Sequence, residues 1–277
     1  MANVFITGCS SGFGLLTALR FARAGDHVVA TMRTPTNAPA ALTEPIANEK
    51  LPITLGRLDV CDPASIAEAV RAAGPIDVLV NNAGIELRSS IEDASDADVE
   101  KQFDTNVFGT LRVLRAVLPQ MRARKRGIVV NLSSIAGIVA RPFGGLYSAT
   151  KHALEAITES LHFEAGPLGI RVVLIEPGAY DTRLLDNAFP GEGFGPSSPY
   201  WPIHERFEEA LATLRSATGG MQDAQEVADA VYAAVNDPAP KLRYLVGRDA
   251  QMIAAAYKQL DFEQYEQAMR QSMHWRD

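Results

Sequence analysis

A chain of 277 residues, 47% hydrophobic and 21% charged, is long enough to bury most of its apolar surface around one large core. Its formal net charge of -7 argues against nucleic acid or an anionic membrane as the main partner, because both repel an acidic surface. Two isolated cysteines, Cys9 and Cys61, give neither a disulfide framework nor a zinc knot; with no basic leader and no long apolar run, the expectation is a soluble cytoplasmic protein without metal or membrane span.

Short runs rich in Val, Ile and Leu alternate with segments of helical period. NVFIT leads into a helix over Gly14 to Ala24; HVVATM follows; ITLGRLDV precedes a helix over Ala64 to Ala73; then comes IDVLVNNAG. The alternation continues with a long helix over Asp98 to Arg122, IVVNLSS, a helix over Ser148 to Ala165, RVVLIEPG and, late in the chain, LRYLVG. Near-continuous apolar strands mean that both sheet faces are covered. The fold class predicted is therefore α/β, a single Rossmann-type domain over 1–277 with a doubly wound parallel sheet of about seven strands and helices on both faces. MRARKR at 121–126 reads as the solvated C-terminal end of a helix. The stretch from Arg183 to Trp201 packs Gly, Pro and aromatics together without period and reads as a substrate lid over about 183–204; about 249–277 reads as a helical extension.

Four local patterns carry chemistry. TGCSSGFG, Thr7 to Gly14, follows the first strand and opens a helix, where glycines bring backbone N–H groups and a helix N-terminus up to a pyrophosphate. The second strand ends in Met32-Arg33, where an NAD site would have a carboxylate for the ribose 2'-OH; Arg33 suits the 2'-phosphate of NADP(H) instead. Ser133 and Ser134 end another strand. Tyr147 and Lys151, in YSATK, lie one helical turn apart, so the cation is placed to stabilise a tyrosinate. The five histidines have no ligand spacing.

Together these motifs, with NNAG at 81–84 and Pro177-Gly178, resemble the short-chain dehydrogenases/reductases, in their hydroxysteroid and retinol dehydrogenase-like branch, over about residues 3 to 182. The resemblance implies that Tyr147 is the catalytic acid/base, Lys151 its electrostatic partner and ribose ligand, and Ser134, thirteen residues before Tyr147, the serine that orients substrate, with Ser133 as the alternative. It implies that Asn106 holds a water linking Lys151 to solvent. Cofactor contacts are expected from Gly8, Ser11, Gly12, Phe13, Gly14 and Arg33; from Asp59 and Val60 at the adenine, although Asp59 would equally cap the next helix; from Asn82, Ala83 and Gly84; and from Pro177, Gly178 and Thr182 at the nicotinamide. After NNAG the family often has a Gly-containing turn; this chain has Glu86, Ser89 and Ser90.

The activity expected is NADP(H)-dependent hydride transfer between a ketone and a secondary alcohol. Phe143, Phe189, Phe194, Tyr200 and Trp201 would wall in a bulky, mostly apolar substrate of steroid, retinoid, polyketide or aryl ketone type. The resemblance also implies a homodimer or homotetramer built on the two long helices. The rival expectations are a non-redox epimerase or dehydratase on the same scaffold, and a cofactor-sensing regulator without turnover.

Overall fold

The computed structural model describes residues 1–180, 188–217 and 220–272. Its first half runs β1 (Asn3–Ile6), α1 (Gly12–Arg23), β2 (His27–Met32), α2 (Ala40–Glu49), β3 (Ile53–Arg57), α3 (Pro63–Ala73), β4 (Val78–Asn81), a short β5 (Leu87–Arg88) and α4 (Asp96–Phe103). A turn of π-helix over Asp104–Gly109 joins α4 to α5 (Thr110–Arg124). Then come β6 (Gly127–Leu132), α6 (Gly145–Ala165), β7 (Ile170–Pro177), a short β8 (Phe189–Pro190), α7 (Trp201–Ala217), α8 (Gln225–Asn236), β9 (Arg243–Val246), α9 (Arg248–Gln259) and α10 (Phe262–Ser272).

Seven strands form one parallel sheet in the order β3-β2-β1-β4-β6-β7-β9. Successive side chains point to opposite faces, so β1 sends Val4 and Ile6 into one core layer with Leu15, Phe21 and Val231, and Phe5 into the other with Val113, Val117 and Met121. Both layers are buried apolar clusters, which is why the strands read as unbroken apolar runs rather than alternating ones. The chain order reverses between β1 and β4. That switch point is where doubly wound sheets bind ligands at the strand C-termini, and Thr7, Asn81, Ser134 and Pro177 all stand at or just beyond such ends. Among the described residues no helix is long and apolar enough to cross a membrane.

Three expectations need correction. The predicted single helix Asp98 to Arg122 is three pieces: the Ser95–Asp98 capping box opens α4, the π turn widens the middle, and α5 ends on Lys125 in the left-handed region. Asp59 does not cap α3; Asp62 does, accepting from Ala64 N at 2.9 Å, while Asp59 Oδ1 accepts from Cys61 N at 2.9 Å. The helices α2 and α8 have no counterpart in the expected sequence of elements. Pro45 inside α2 masks its helical period, because an interior proline normally ends a helix.

Candidate active site

The glycine turn is built against the end of β4. Gly8 and Gly12 have positive φ, 76° and 54°, a region that side chains with a Cβ rarely enter. A Cβ on Gly14 would lie 2.4 Å from Gly8 O and 2.4 Å from Asn82 Nδ2, so this glycine lets the start of α1 close onto the turn. Asn82 Nδ2 donates to the carbonyls of Thr7 (2.9 Å) and Gly8 (3.0 Å), and Thr7 Oγ1 accepts from the N–H groups of Asn82 and Ala83, both at 3.0 Å. Ser11, at the N-cap of α1, makes no side-chain cap bond, so the first-turn amides remain directed out of the helix. A cradle with no Cβ at its closest point, opening on a helix N-terminus, fits a dinucleotide phosphate.

Other expected cofactor residues border the same cleft. Phe13 packs edge-on against Tyr180, ring centroids 5.6 Å apart, and Tyr180 OH reaches Glu226 at 3.1 Å. Arg33 is exposed just after β2, whereas Met32 is buried. Arg57, paired in register with Met32 on β3, is a second exposed cation at this sheet end that sequence reasoning did not single out. Val60 is buried against the π turn, where a Cβ on Gly109 would meet Val60 Cγ2 at 2.8 Å. Gly84 lies against Asn106: a Cβ there would be 3.4 Å from its Oδ1. Pro177 O accepts from Ser134 Oγ at 3.4 Å, and Gly178 N donates to Val246 O at 2.9 Å. Thr182 lies outside the described residues, as does the start of the expected lid.

At the expected reacting centre, α6 brings Tyr147 and Lys151 together, with Lys151 Nζ 5.6 Å from the Tyr147 ring centroid. Both are buried, 6% and 7% exposed. Lys151 Nζ donates to Leu132 O at 2.7 Å, which ties it to the end of β6. Burial pushes the Tyr147 hydroxyl up to about 12, opposed by the positive charge of Arg141 and by the Ser134 hydroxyl. Burial also draws the Lys151 ammonium down to about 8, opposed by Glu155. The two serines differ in their partners: Ser133 Oγ makes a short bond with Glu155 Oε1, and Ser134 lies beside Tyr147.

Asn106 sits in the π turn and is fully engaged. Its Oδ1 accepts from Ile85 N at 2.9 Å, and its Nδ2 donates to Ile85 O at 2.9 Å and to Thr150 Oγ1 at 3.1 Å. Gln102, buried one turn earlier, extends the same clamp by accepting from Leu87 N (2.6 Å) and donating to Ile85 O (2.8 Å). A π turn inside a helix is a frequent mark of a functional site.

Beyond NNAG comes the charged stretch that contains Glu86. Glu86 is 2% exposed and ion-paired with Arg141, with Arg88 Nε at 3.7 Å. Arg141 belongs to the loop between Ser134 and Tyr147, so this buried charge joins two walls of the cleft; a lone Glu in sequence gave no sign of its partners. In the same loop Phe143 has φ 56°, a strained conformation for a bulky residue and one that occurs at ligand clamps.

The described part of the expected lid continues these walls. β8 pairs in parallel with β5, Phe189 opposite Leu87. Phe194 stacks on Phe143 at 5.8 Å and tilts against Trp201 at 5.3 Å. His204 and Phe207 of α7 complete the cluster around Phe143, at 5.0 and 5.9 Å. Phe189 and Tyr200 turn elsewhere, Phe189 under Lys101 and Tyr200 OH to Glu92 at 2.6 Å. Gly191 and Gly193 permit close packing rather than free movement: a Cβ would lie 2.4 Å from Ser89 Oγ and 2.9 Å from Asp93 O respectively.

Comparison with known proteins identifies the family. Residues 2–193 match the family model for short chain dehydrogenases. The chain belongs to that family. It is 38% identical over 248 residues to an uncharacterized oxidoreductase, YusZ, of Bacillus subtilis, with 88% of each chain covered. It is 33% identical to a 3-ketodihydrosphingosine reductase of Bacteroides thetaiotaomicron (92% and 91% covered) and 35% identical to retinol dehydrogenase 8 of Bos taurus (87% and 80%). Among solved structures, a short-chain dehydrogenase from Streptomyces avermitilis superposes with a TM-score of 0.78 at 32% identity, covering 99% of this chain and 97% of that one. ElxO with NADP bound gives 0.73 at 27% identity, covering 91% and 100%. This dehydrogenase is thus an oxidoreductase by family, built on the Rossmann-like fold that its sequence implied.

Proposed function

We propose that this dehydrogenase interconverts a ketone and a secondary alcohol with NADP(H), on a bulky, mostly apolar substrate. The observation that carries the reading is that Ser134, Tyr147 and Lys151 are brought together beside the end of β6. A nicotinamide cofactor held by the glycine turn would supply or take the hydride. The chain's own residues do the rest: Tyr147 Oη gives its proton to the oxygen that gains charge as the carbonyl is reduced, Ser134 Oγ orients that oxygen, and the Lys151 ammonium stabilises the tyrosinate left behind. A water path from Lys151 to solvent by way of Asn106 is what the family resemblance implies; here the Asn106 side chain is taken up by Ile85 and Thr150. The aromatic cluster around Phe143 supplies the apolar wall that excludes water from the transfer.

A screen of NADPH oxidation over ketones graded by size tests the reading. Bulky aryl or polycyclic ketones should be reduced with higher kcat/KM than small polar carbonyls. Equal efficiency toward both would remove the case for an apolar lid, and no oxidation with any ketone would remove the activity itself.

Preference for NADP(H) rests on Arg33, with Arg57 adjoining and no carboxylate at the end of β2. Met32→Asp combined with Arg33→Ala should reverse the ratio of NADPH to NADH efficiency. The loss of one charge-assisted phosphate contact is worth roughly 1.5 to 3 kcal/mol, on the order of ten- to a hundredfold. An unchanged ratio would end the assignment.

Assembly through α5 and α6 is supported by two exposed large apolar side chains, Phe108 in the π turn (50% exposed) and Phe163 on α6 (71%). Light scattering should give a dimer or tetramer; a particle of 29.9 kDa at low micromolar concentration would refute it.

A further inference from the structure

A buried charge array continues past the reacting pair along α6. Tyr147, Lys151 and Glu155 recur every four residues and so share one helix face. Glu155 is 7% exposed; its Oε1 accepts the short bond from Ser133 Oγ and its Oε2 meets Arg243 Nη1 of β9. Arg243 reaches on to Glu176 of β7 at 2.8 Å and to Glu159 of α6 at 3.0 Å. Gly137 closes directly over the pair: a Cβ there would lie 2.7 Å from Ser133 Oγ and 2.8 Å from Glu155 Oε1. The loop that carries Ser134 is therefore seated on Glu155. A buried carboxylate is costly unless its partners compensate, and an apolar side chain would fill this place at less cost if packing were all that the place required.

We propose that Glu155 is a positioning residue of the reacting centre, seating the Ser134 loop through Ser133 and supplying negative charge one turn beyond Lys151. This rests on the reading of Tyr147 and Lys151 as the reacting pair. Lys151 faces Tyr147 and Glu155 on α6 and the Leu132 carbonyl of β6; Glu155 faces Arg243, Glu176 and Glu159; Asp104 of the π turn is held by Arg112 at 2.6 Å. Within this set Glu155 is what opposes the discharge of Lys151 by burial. Removing that charge leaves Lys151 buried with only neutral partners, and it gives up its proton more readily.

The test is direct titration of Lys151. The chain has six lysines, so protein carrying 13C at lysine Cε gives few NMR signals, and the one absent from Lys151→Met is assigned. Glu155→Gln keeps the hydrogen-bond acceptor for Ser133 but not the charge; it should lower the Lys151 midpoint by about one unit, a tenfold loss of proton affinity. Arg243→Gln removes the cation that screens Glu155 and should move the midpoint the other way, which keeps a result in hand if one variant folds poorly. The pH at which ketone reduction falls on the alkaline side should follow the same displacements. A Lys151 signal unmoved in both variants, in a protein that still needs Lys151 for turnover, overturns the proposal. Full turnover by Lys151→Met would instead overturn the reacting pair, whatever the titration gives.

Discussion

Tyr147→Phe should abolish ketone reduction while leaving NADPH binding close to that of the wild type. The loss expected for removing a general acid is roughly 10²- to 10⁴-fold in kcat. The ring is buried and its packing is retained by phenylalanine, and the hydroxyl's neighbour, Ser134, keeps its own bonds to Ala136 N (3.1 Å) and Pro177 O (3.4 Å). The fold and the cofactor cleft should therefore survive. The measurement is steady-state turnover together with a fluorescence titration of NADPH. Because burial pushes the Tyr147 hydroxyl up to about 12, it is protonated across the neutral range and available as a donor. Reduction should hold at neutral pH and fall as pH rises through about 8, where Lys151 loses its charge. Turnover of the Phe variant above about a tenth of wild type would assign the proton to another group.

Gly14→Ala should damage both stability and cofactor binding, although it adds one methyl group. The new Cβ would lie 2.4 Å from Gly8 O, a backbone atom already held at 3.0 Å by Asn82 Nδ2. The turn can make room only by breaking that bond or by lifting α1 away from β4. Overpacking of this kind costs about 1 to 3 kcal/mol, a fall of roughly 2 to 10 °C in Tm for a chain of this size. The same displacement opens the phosphate cradle, so NADPH should bind at least tenfold more weakly, on the scale of about 1.4 kcal/mol per factor of ten. Calorimetry with and without NADPH separates the two effects: in the variant the added cofactor should raise Tm less than in the wild type. An unchanged NADPH affinity would mean that the turn does not hold the phosphate.

What the sequence determined by itself was set by short-range rules. Apolar runs of strand length between helical periods imply a covered parallel sheet, because nothing else buries both faces of such strands. The pair Tyr147 and Lys151 was legible because an i, i+4 spacing on a helix fixes their proximity without any tertiary contact. The glycine turn was legible because only glycine suits its backbone.

Tertiary structure decided whatever depends on partners distant in the chain. In the sequence only the spacing from Tyr147 favours Ser134 over Ser133; the arrival of Glu155 from α6 engages Ser133 in a buried bond and leaves Ser134 beside Tyr147. The helix containing Asn106 looked continuous; its π turn goes with the packing of Gly109 on Val60 and the clamp of Asn106 and Gln102 on Ile85. Glu86 read as a charged residue near a strand end, yet it is buried with Arg141, 55 residues away. Likewise, of the expected lid aromatics, Phe194 and Trp201 join Phe143 while Phe189 and Tyr200 face Lys101 and Glu92. Local sequence fixes backbone conformation and helix faces; ion pairs and aromatic clusters form between segments that only the fold brings together, where burial makes their pairing strong.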